Sequence, residues 1–318
     1  MNLRRLLLPA VLLASFVLPA RAADPRPVFV LTDPTGDDYG DGTLKYPARP
    51  DLRQGDLDII ELRVEPGNGG VWFSASFART IRPPGPEPVD AVGTTMASVA
   101  KLGFYTFNID VYIDMDRVPG SGHTNALPGR KVTIDPATAW EKAVCLTPRP
   151  DVAQVLLGRL LARDEKAAVR KNKPRVDPED VKLAGQYAKE NLAQQYFFPT
   201  RAQVNGHRVR FFVPNSFLGA TPKPEWAYTV VVTAADVLGR LDATQLLGKA
   251  AAYDGGDLML IPVGSSPTAT QFGGREDDEL QPPVIDVIVP EGQKQEDVLK
   301  DYDLRDGRMV KLTGVPPR

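Results

Sequence analysis

Only one cysteine, Cys145, occurs in 318 residues, so no intramolecular disulfide can staple the fold. Stability must therefore come from burial, backbone pairing and bound ions. Histidine is almost as scarce. His123 and His207 are the only two, neither lies in a nucleophile or metal-ligand motif, and no Gly-x-Ser-x-Gly element occurs. Two scattered His and five Met also give haem no clear axial ligands. A charge surplus is missing too: 38 Lys+Arg against 40 Asp+Glu leave a formal −2, with no basic stripe to hold a phosphate backbone. Nucleic acid is not an expected partner. Past the first two dozen residues no apolar run reaches the length of a membrane helix, so the mature chain is expected to be soluble, without a transmembrane segment.

The one long apolar run lies at the N-terminus. Arg4 and Arg5 precede Leu6 to Leu18, a run broken only by Pro9 and Ser15, and Ala20-Arg21-Ala22 follows as a small-x-small cleavage site. Charge, run length and cleavage site together read as a signal peptide over residues 1–22. The expected location is periplasmic or secreted. No Cys follows the run, so no lipoprotein anchor is indicated. Roughly 295 residues remain, enough for a substantial core, and 23–318 reads as a single domain.

Proline and glycine are plentiful instead, 30 and 27, scattered between short β-branched or aromatic runs. That pattern predicts many short strands joined by turns. Strands are expected at Val28–Leu31, Asp58–Val64, Val71–Phe77, Tyr105–Ile113, Lys131–Ile134, Lys142–Leu146, Arg208–Val213, Ala227–Thr233 and Met259–Val263. Gly67, Asn68, Gly69 and Gly70 suit a hairpin turn. From Val152 to Phe197 the composition turns to Leu, Ala, Lys, Glu and Gln, predicting a helical insertion. Val152, Val155, Leu156 and Leu160 mark one amphipathic stretch; Asp177-Pro178 reads as an N-cap and first position of a second helix. The basic run Arg170 to Lys173 between them reads as a solvated linker.

The segment Asp33-Pro34-Thr35-Gly36-Asp37-Asp38-Tyr39-Gly40-Asp41-Gly42 crowds four carboxylates into ten residues beside three glycines. Such crowding opposes folding unless something neutralises it. Ca²⁺ takes six to eight oxygens, and glycines let the chain turn so that they converge. The spacing is not that of an EF-hand. Asp33, Asp37, Asp38 and Asp41 are therefore candidate ligands, with Asp58 at the next strand as a further one; an exposed turn whose Asp side chains bond local amides fits the composition equally.

The same segment, followed by Tyr46-Pro47 and Gly55-Asp56-Leu57-Asp58, resembles the start of a known family, the C-terminal binding module of glucodextranases and amylopullulanases, grouped with DOMON-like sandwiches. The resemblance continues in order through Gly103-Phe104, Asp110-Val111-Tyr112-Ile113-Asp114, Gly120-Ser121-Gly122, Leu127-Pro128-Gly129-Arg130 and Ala139-Trp140-Glu141. After the helical insert come Phe212-Val213-Pro214, Trp226-Ala227-Tyr228, Phe272-Gly273-Gly274, Pro283-Val284-Ile285-Asp286 and Gln295. It implies an antiparallel, jelly-roll-like β-sandwich that binds sugar or cell surface without hydrolysis.

Sugar rings stack on flat side chains, so exposed aromatic residues are the candidate platforms. Trp140 and Trp226 read as core. Trp72 is the candidate ligand-binding residue, because alternation puts Trp72, Ser74 and Ser76 on the more polar face of its strand; cover by the helical insert would instead close it off. Cys145, inside an apolar strand, reads as an inert buried thiol, His123 as a solvated turn residue, and Asp277-Asp278 as an acidic pair without specificity. The expected function is an exported, calcium-stabilised, non-catalytic protein binding polysaccharide or cell-envelope glycan. The alternatives are a secreted glycoside-active enzyme and a structural envelope protein that binds other proteins.

Overall fold

A computed structural model describes residues 26–89, 91–172, 177–237, 258–275 and 279–317. The expected signal peptide over 1–22, Lys173 of the basic run and the pair Asp277-Asp278 lie outside the described residues.

Two five-stranded sheets pack face to face. The first runs β1 (Phe29–Thr32), β2 (Ile59–Gly67), β3 (Gly70–Phe77), β9 (Arg208–Pro214), β8 (Ala202–Asn205), antiparallel throughout. The second runs β13 (Asp286–Val287), β10 (Ala227–Ala234), β4 (Phe107–Asp114), β6 (Lys142–Leu146), β7 (Tyr196–Phe197), antiparallel except where β7 joins β6 in parallel. Two small parallel pairs complete the set, β5 (Val132–Ile134) with β14 (Val310–Leu312) and β11 (Val263–Gly264) with β12 (Phe272–Gly273). The antiparallel sandwich expected from the sequence is thus present, with parallel pairing added at the periphery.

Alternation along the strands makes two cores. Phe29, Leu62, Phe73 and Phe211 of the first sheet meet Ile109, Val111, Val144 and Val230 of the second in one buried cluster between the sheets. The residues between them on the second sheet, Tyr112, Ala143, Cys145 and Val231, point the other way into a second cluster. Helices α1 (Pro150–Asn172) and α2 (Pro178–Gln195) contribute to its cover through Ala153, Leu156, Leu157 and Leu192. The insert therefore packs on the outer face of the second sheet. Asp177 caps α2 as expected, with its N–H donating to the Asp180 carboxylate and Pro178 at the first position.

Within the second cluster a bidentate ion pair is completely enclosed. Arg130 Nε donates to Asp110 Oδ2 at 2.6 Å and Nη2 to Oδ1 at 3.2 Å, while Nη1 donates to the Pro128 and Leu258 carbonyls. The Cys145 thiol donates to the same carboxylate at 3.0 Å.

Three expectations need correction. Arg170 to Asn172 of the basic run are not linker but the last turn of the first helix, although they are exposed as expected. Met259 to Val263 is not a continuous strand: Met259 adopts φ +56, Leu260 makes only a bridge to Ala235, and regular pairing is confined to Val263–Gly264. His123 is not a solvated turn residue. Its backbone pairs with Trp140, its ring lies 4.8 Å from the indole, and the resulting burial pushes its pKa down.

Candidate functional site

Where β1 ends, the chain turns through Asp33-Pro34-Thr35-Gly36 and meets the start of β2 and strand β13. Gly36 sits at φ +91, a conformation only glycine enters freely, and its N–H donates to Asp58 Oδ2 at 2.6 Å. Ile59 N–H at the head of β2 crosses between sheets to Asp286 Oδ2, also at 2.6 Å. The Gln295 side chain fastens the assembly: its Oε1 accepts from Val287 N–H, and its Nε2 donates to the Asp37 and Ile285 carbonyls.

These bonds bring carboxylates together. One oxygen each from Asp33, Asp37 and Asp286 lie within 4.8 Å of one another. Asp58 and Asp286 are almost completely buried. Most telling are the buried oxygens with no donor: Asp33 Oδ2, Asp37 Oδ1, Asp38 Oδ1, Asp58 Oδ1 and Asp286 Oδ1. Buried polar atoms are almost always paired, so five orphaned acceptors in one place are a marked exception.

Burial and mutual repulsion set their titration. Asp33 is pushed up to about 8 by burial and then by the Asp37 charge. Asp58 is pushed to about 6 by burial, with Asp38 and Asp37 adding to it, although the Gly36 N–H pulls the other way. Burial, then the Asp33 and Asp37 charges, drive Asp286 well above the usual carboxylate range. Asp37 and Asp38 are raised as well, chiefly by burial. The donor set is all oxygen, acidic and short of hydrogen-bond donors, which suits a hard cation such as Ca²⁺. A cleft bounded by Val30 to Pro34 and Val289 to Gln293 has Asp33 in its wall.

The sequence-derived ligands divide. Asp33 and Asp37 converge, Asp58 is near enough for the Asp37 and Asp38 charges to act on it and keeps one unpartnered oxygen, and Asp38 keeps one free oxygen while the other accepts from Tyr46 Oη and Gly55 N–H. Asp41 is not brought into the group. Its Oδ1 accepts from Thr43 and Gln281, and its Oδ2 from Tyr302, with Arg275 at 3.5 Å. Asp286 was missed as a candidate ligand, although a lone Asp inside Pro283-Val284-Ile285-Asp286-Val287-Ile288 is itself a signal, since a carboxylate in an apolar run needs a partner.

A second acidic group, Asp114, Asp116 and Glu141, differs in kind. Asp114 accepts from Arg117 N–H, Glu141 from Met115 N–H, and Asp116 from Val118 N–H and Ser121 Oγ. Local donors already satisfy these groups.

Trp72 lies on the outer face of the first sheet, away from the helical insert. It is only 9% exposed, because the Arg201 and Arg210 guanidiniums lie 4.7 and 4.8 Å from its ring centre and Phe212 meets it edge-on at 5.4 Å. Its face as a bare platform is therefore covered by arginine rather than by helix.

Among the described residues, no helix is long and apolar enough to cross a membrane. No curated protein matches the chain. One family model does, over residues 28–314, and that span takes in both sheets, the helical insert and every carboxylate of the cluster. The chain belongs to the family of the C-terminal, SLH-like binding module of glucodextranase.

Proposed function

We propose that this chain is an exported, non-catalytic module that binds polysaccharide or cell-envelope glycan and is stabilised by calcium at the Asp33, Asp37, Asp58 and Asp286 cluster, with Asp38 at its margin. The observation that supports it is the set of five buried, donorless carboxylate oxygens within a binding-module fold. Asp58 and Asp286 accept from the backbone N–H groups of Gly36 and Ile59, and one oxygen each of Asp33, Asp37 and Asp286 lie within 4.8 Å of one another, closer than the roughly 5–9.5 Å that separates a glycosidase acid from its nucleophile or base. A bound cation would hold all of them ionised and tie the β1–β2 edge to β13. That role is structural. The glycan contact then falls elsewhere on the sandwich.

The test is incubation of the mature protein with a panel of immobilised polysaccharides while reducing ends are monitored. Retention on a polysaccharide without release of reducing ends is the expected result; steady release would overturn the non-catalytic reading. For export, N-terminal sequencing of the protein recovered outside the cytoplasm is expected to begin near residue 23.

A further inference from the structure

Among the described residues the helical insert packs on the second sheet, and the outer face of the first sheet lies away from it. Register places Glu61, Ser76 and Arg208 in one row across β2, β3 and β9, then Arg63, Ser74 and Arg210, then Glu65, Trp72 and Phe212. Arg201, just before β8, extends the last row, its carbonyl accepting from Phe212 N–H. Four guanidiniums thus share the face with two carboxylates, a local surplus of cation on a chain whose formal charge is −2.

Three of the arginines have partners there. Arg63 holds Glu61 at 3.1 Å, Arg208 donates to Ser76 Oγ at 3.2 Å, and Arg210 Nη2 lies 3.2 Å from Glu65. Arg201 differs. It is exposed, its guanidinium carbon lies over both aromatic rings, 4.7 Å from the Trp72 centre and 5.1 Å from that of Phe212, and no carboxylate lies within ion-pair reach of it among the described residues. Contact with the two rings restricts where the fork can sit. Next to it, Arg210 Nε and Ser74 Oγ are buried without a hydrogen-bond partner. A donor fork held over an aromatic pair with no carboxylate partner of its own, and with further unfilled polar atoms alongside, is complementary to an anion with two oxygens to offer, such as a carboxylate.

We propose that this face binds a polysaccharide carrying carboxylates, a polyuronate, with Arg201 taking the sugar carboxylate and the exposed amides of Gln203 and Asn205 available to hydroxyls. The inference rests on the glycan-binding reading and adds the class of glycan and its location. A carboxylate presents two coplanar oxygens to the fork; a sulfate ester also offers two oxygens to it, so dextran sulfate is the comparison that separates the two anions.

Calorimetric titration of the whole mature chain with oligogalacturonate, neutral dextran oligosaccharide and dextran sulfate, at about 0.15 M salt, separates the cases. Wild type should bind oligogalacturonate most tightly. Arg201→Gln should weaken that binding about tenfold, Arg201→Lys should recover only part of it despite keeping the charge, and the melting temperature should fall by no more than a few degrees through the lost contact with Trp72. Equal oligogalacturonate affinity in wild type and Arg201→Gln would overturn the proposal, as would full recovery by Arg201→Lys or tighter binding of dextran sulfate. Dextran binding without oligogalacturonate binding would also overturn it while leaving the binding-module reading intact. Binding to none of the three would count against both.

Discussion

Replacing Asp58 by Asn should stabilise the protein in chelator and cost it most of its response to calcium. Asp58 is almost wholly buried at the head of β2, and its Oδ2 accepts from Gly36 N–H, a bond that an Asn oxygen retains. Its folded-state pKa of about 6 lies above the usual 3.8, so the folded chain binds a proton more tightly than the unfolded one. Stability from this group is full below about pH 4 and is lost as pH rises through 6; Asp33, at about 8, extends the loss upward. At about 1.4 kcal/mol per pKa unit, the Asp58 shift alone corresponds to about 3 kcal/mol lost by pH 8. Asp58→Asn removes that charge at nearly constant shape, so in EDTA at pH 8 it should raise the melting temperature by several degrees, at roughly 2–4 °C per kcal/mol. In the wild type, Ca²⁺ at about a hundred times Kd should add about 2.7 kcal/mol at pH 8 and much less at pH 5, where protons compete for the same oxygens. The assay is a thermal melt of both proteins in EDTA, Ca²⁺ and Mg²⁺ at the two pH values. A lower melting temperature for Asp58→Asn in EDTA at pH 8, with the calcium gain undiminished, would refute the reasoning.

Asp41→Ala should behave oppositely, because Asp41 holds Thr43, Gln281 and Tyr302: it should cost about 1–3 kcal/mol in EDTA and calcium alike, with the calcium gain preserved, as read from the same melts. Cys145 is buried, and burial together with the Asp110 charge pushes its thiol pKa well up; Ellman's reagent should therefore react with it only as the chain unfolds in denaturant. Asp110→Asn should cost about 3–5 kcal/mol in urea titrations by leaving the Arg130 guanidinium buried beside a neutral partner, whereas replacing both residues by apolar ones of similar size, Asp110→Leu with Arg130→Met, should recover most of that loss.

Most of the architecture was legible because period-two alternation is a local property. The strands expected at Asp58–Val64, Val71–Phe77 and Arg208–Val213 appear as Ile59–Gly67, Gly70–Phe77 and Arg208–Pro214, and the Asp177-Pro178 start of the second helix is where composition placed it. The failure at Met259 is also local in origin. Its apolar run satisfies the pattern, but a positive φ there breaks the pairing that tertiary contacts would otherwise impose. The acidic cluster was only half visible. Crowding in one loop pointed to Asp33, Asp37 and Asp38, but Asp286 joins them only through pairing between distant strands, and Asp41 leaves them because Gln281 and Tyr302 arrive from equally far away. Trp72 was placed on the correct face by alternation; that arginines of neighbouring strands would lie across it depends on register, which the pattern of one strand does not contain.

The bond from Ile59 to Asp286 spans 227 residues of chain. A ribosome releases the N-terminal end first, so β1 and β2 exist long before β13 can meet them, and the sandwich cannot be clasped until nearly the entire polypeptide is available. Closing so long a loop is slow rather than costly, because its entropy grows only with the logarithm of length. The last contacts to form therefore join the two ends of the sequence, and the carboxylate pocket assembles with them. Under the proposed export this order of events would be an advantage: the threadable state would persist until the C-terminal strand arrives on the far side.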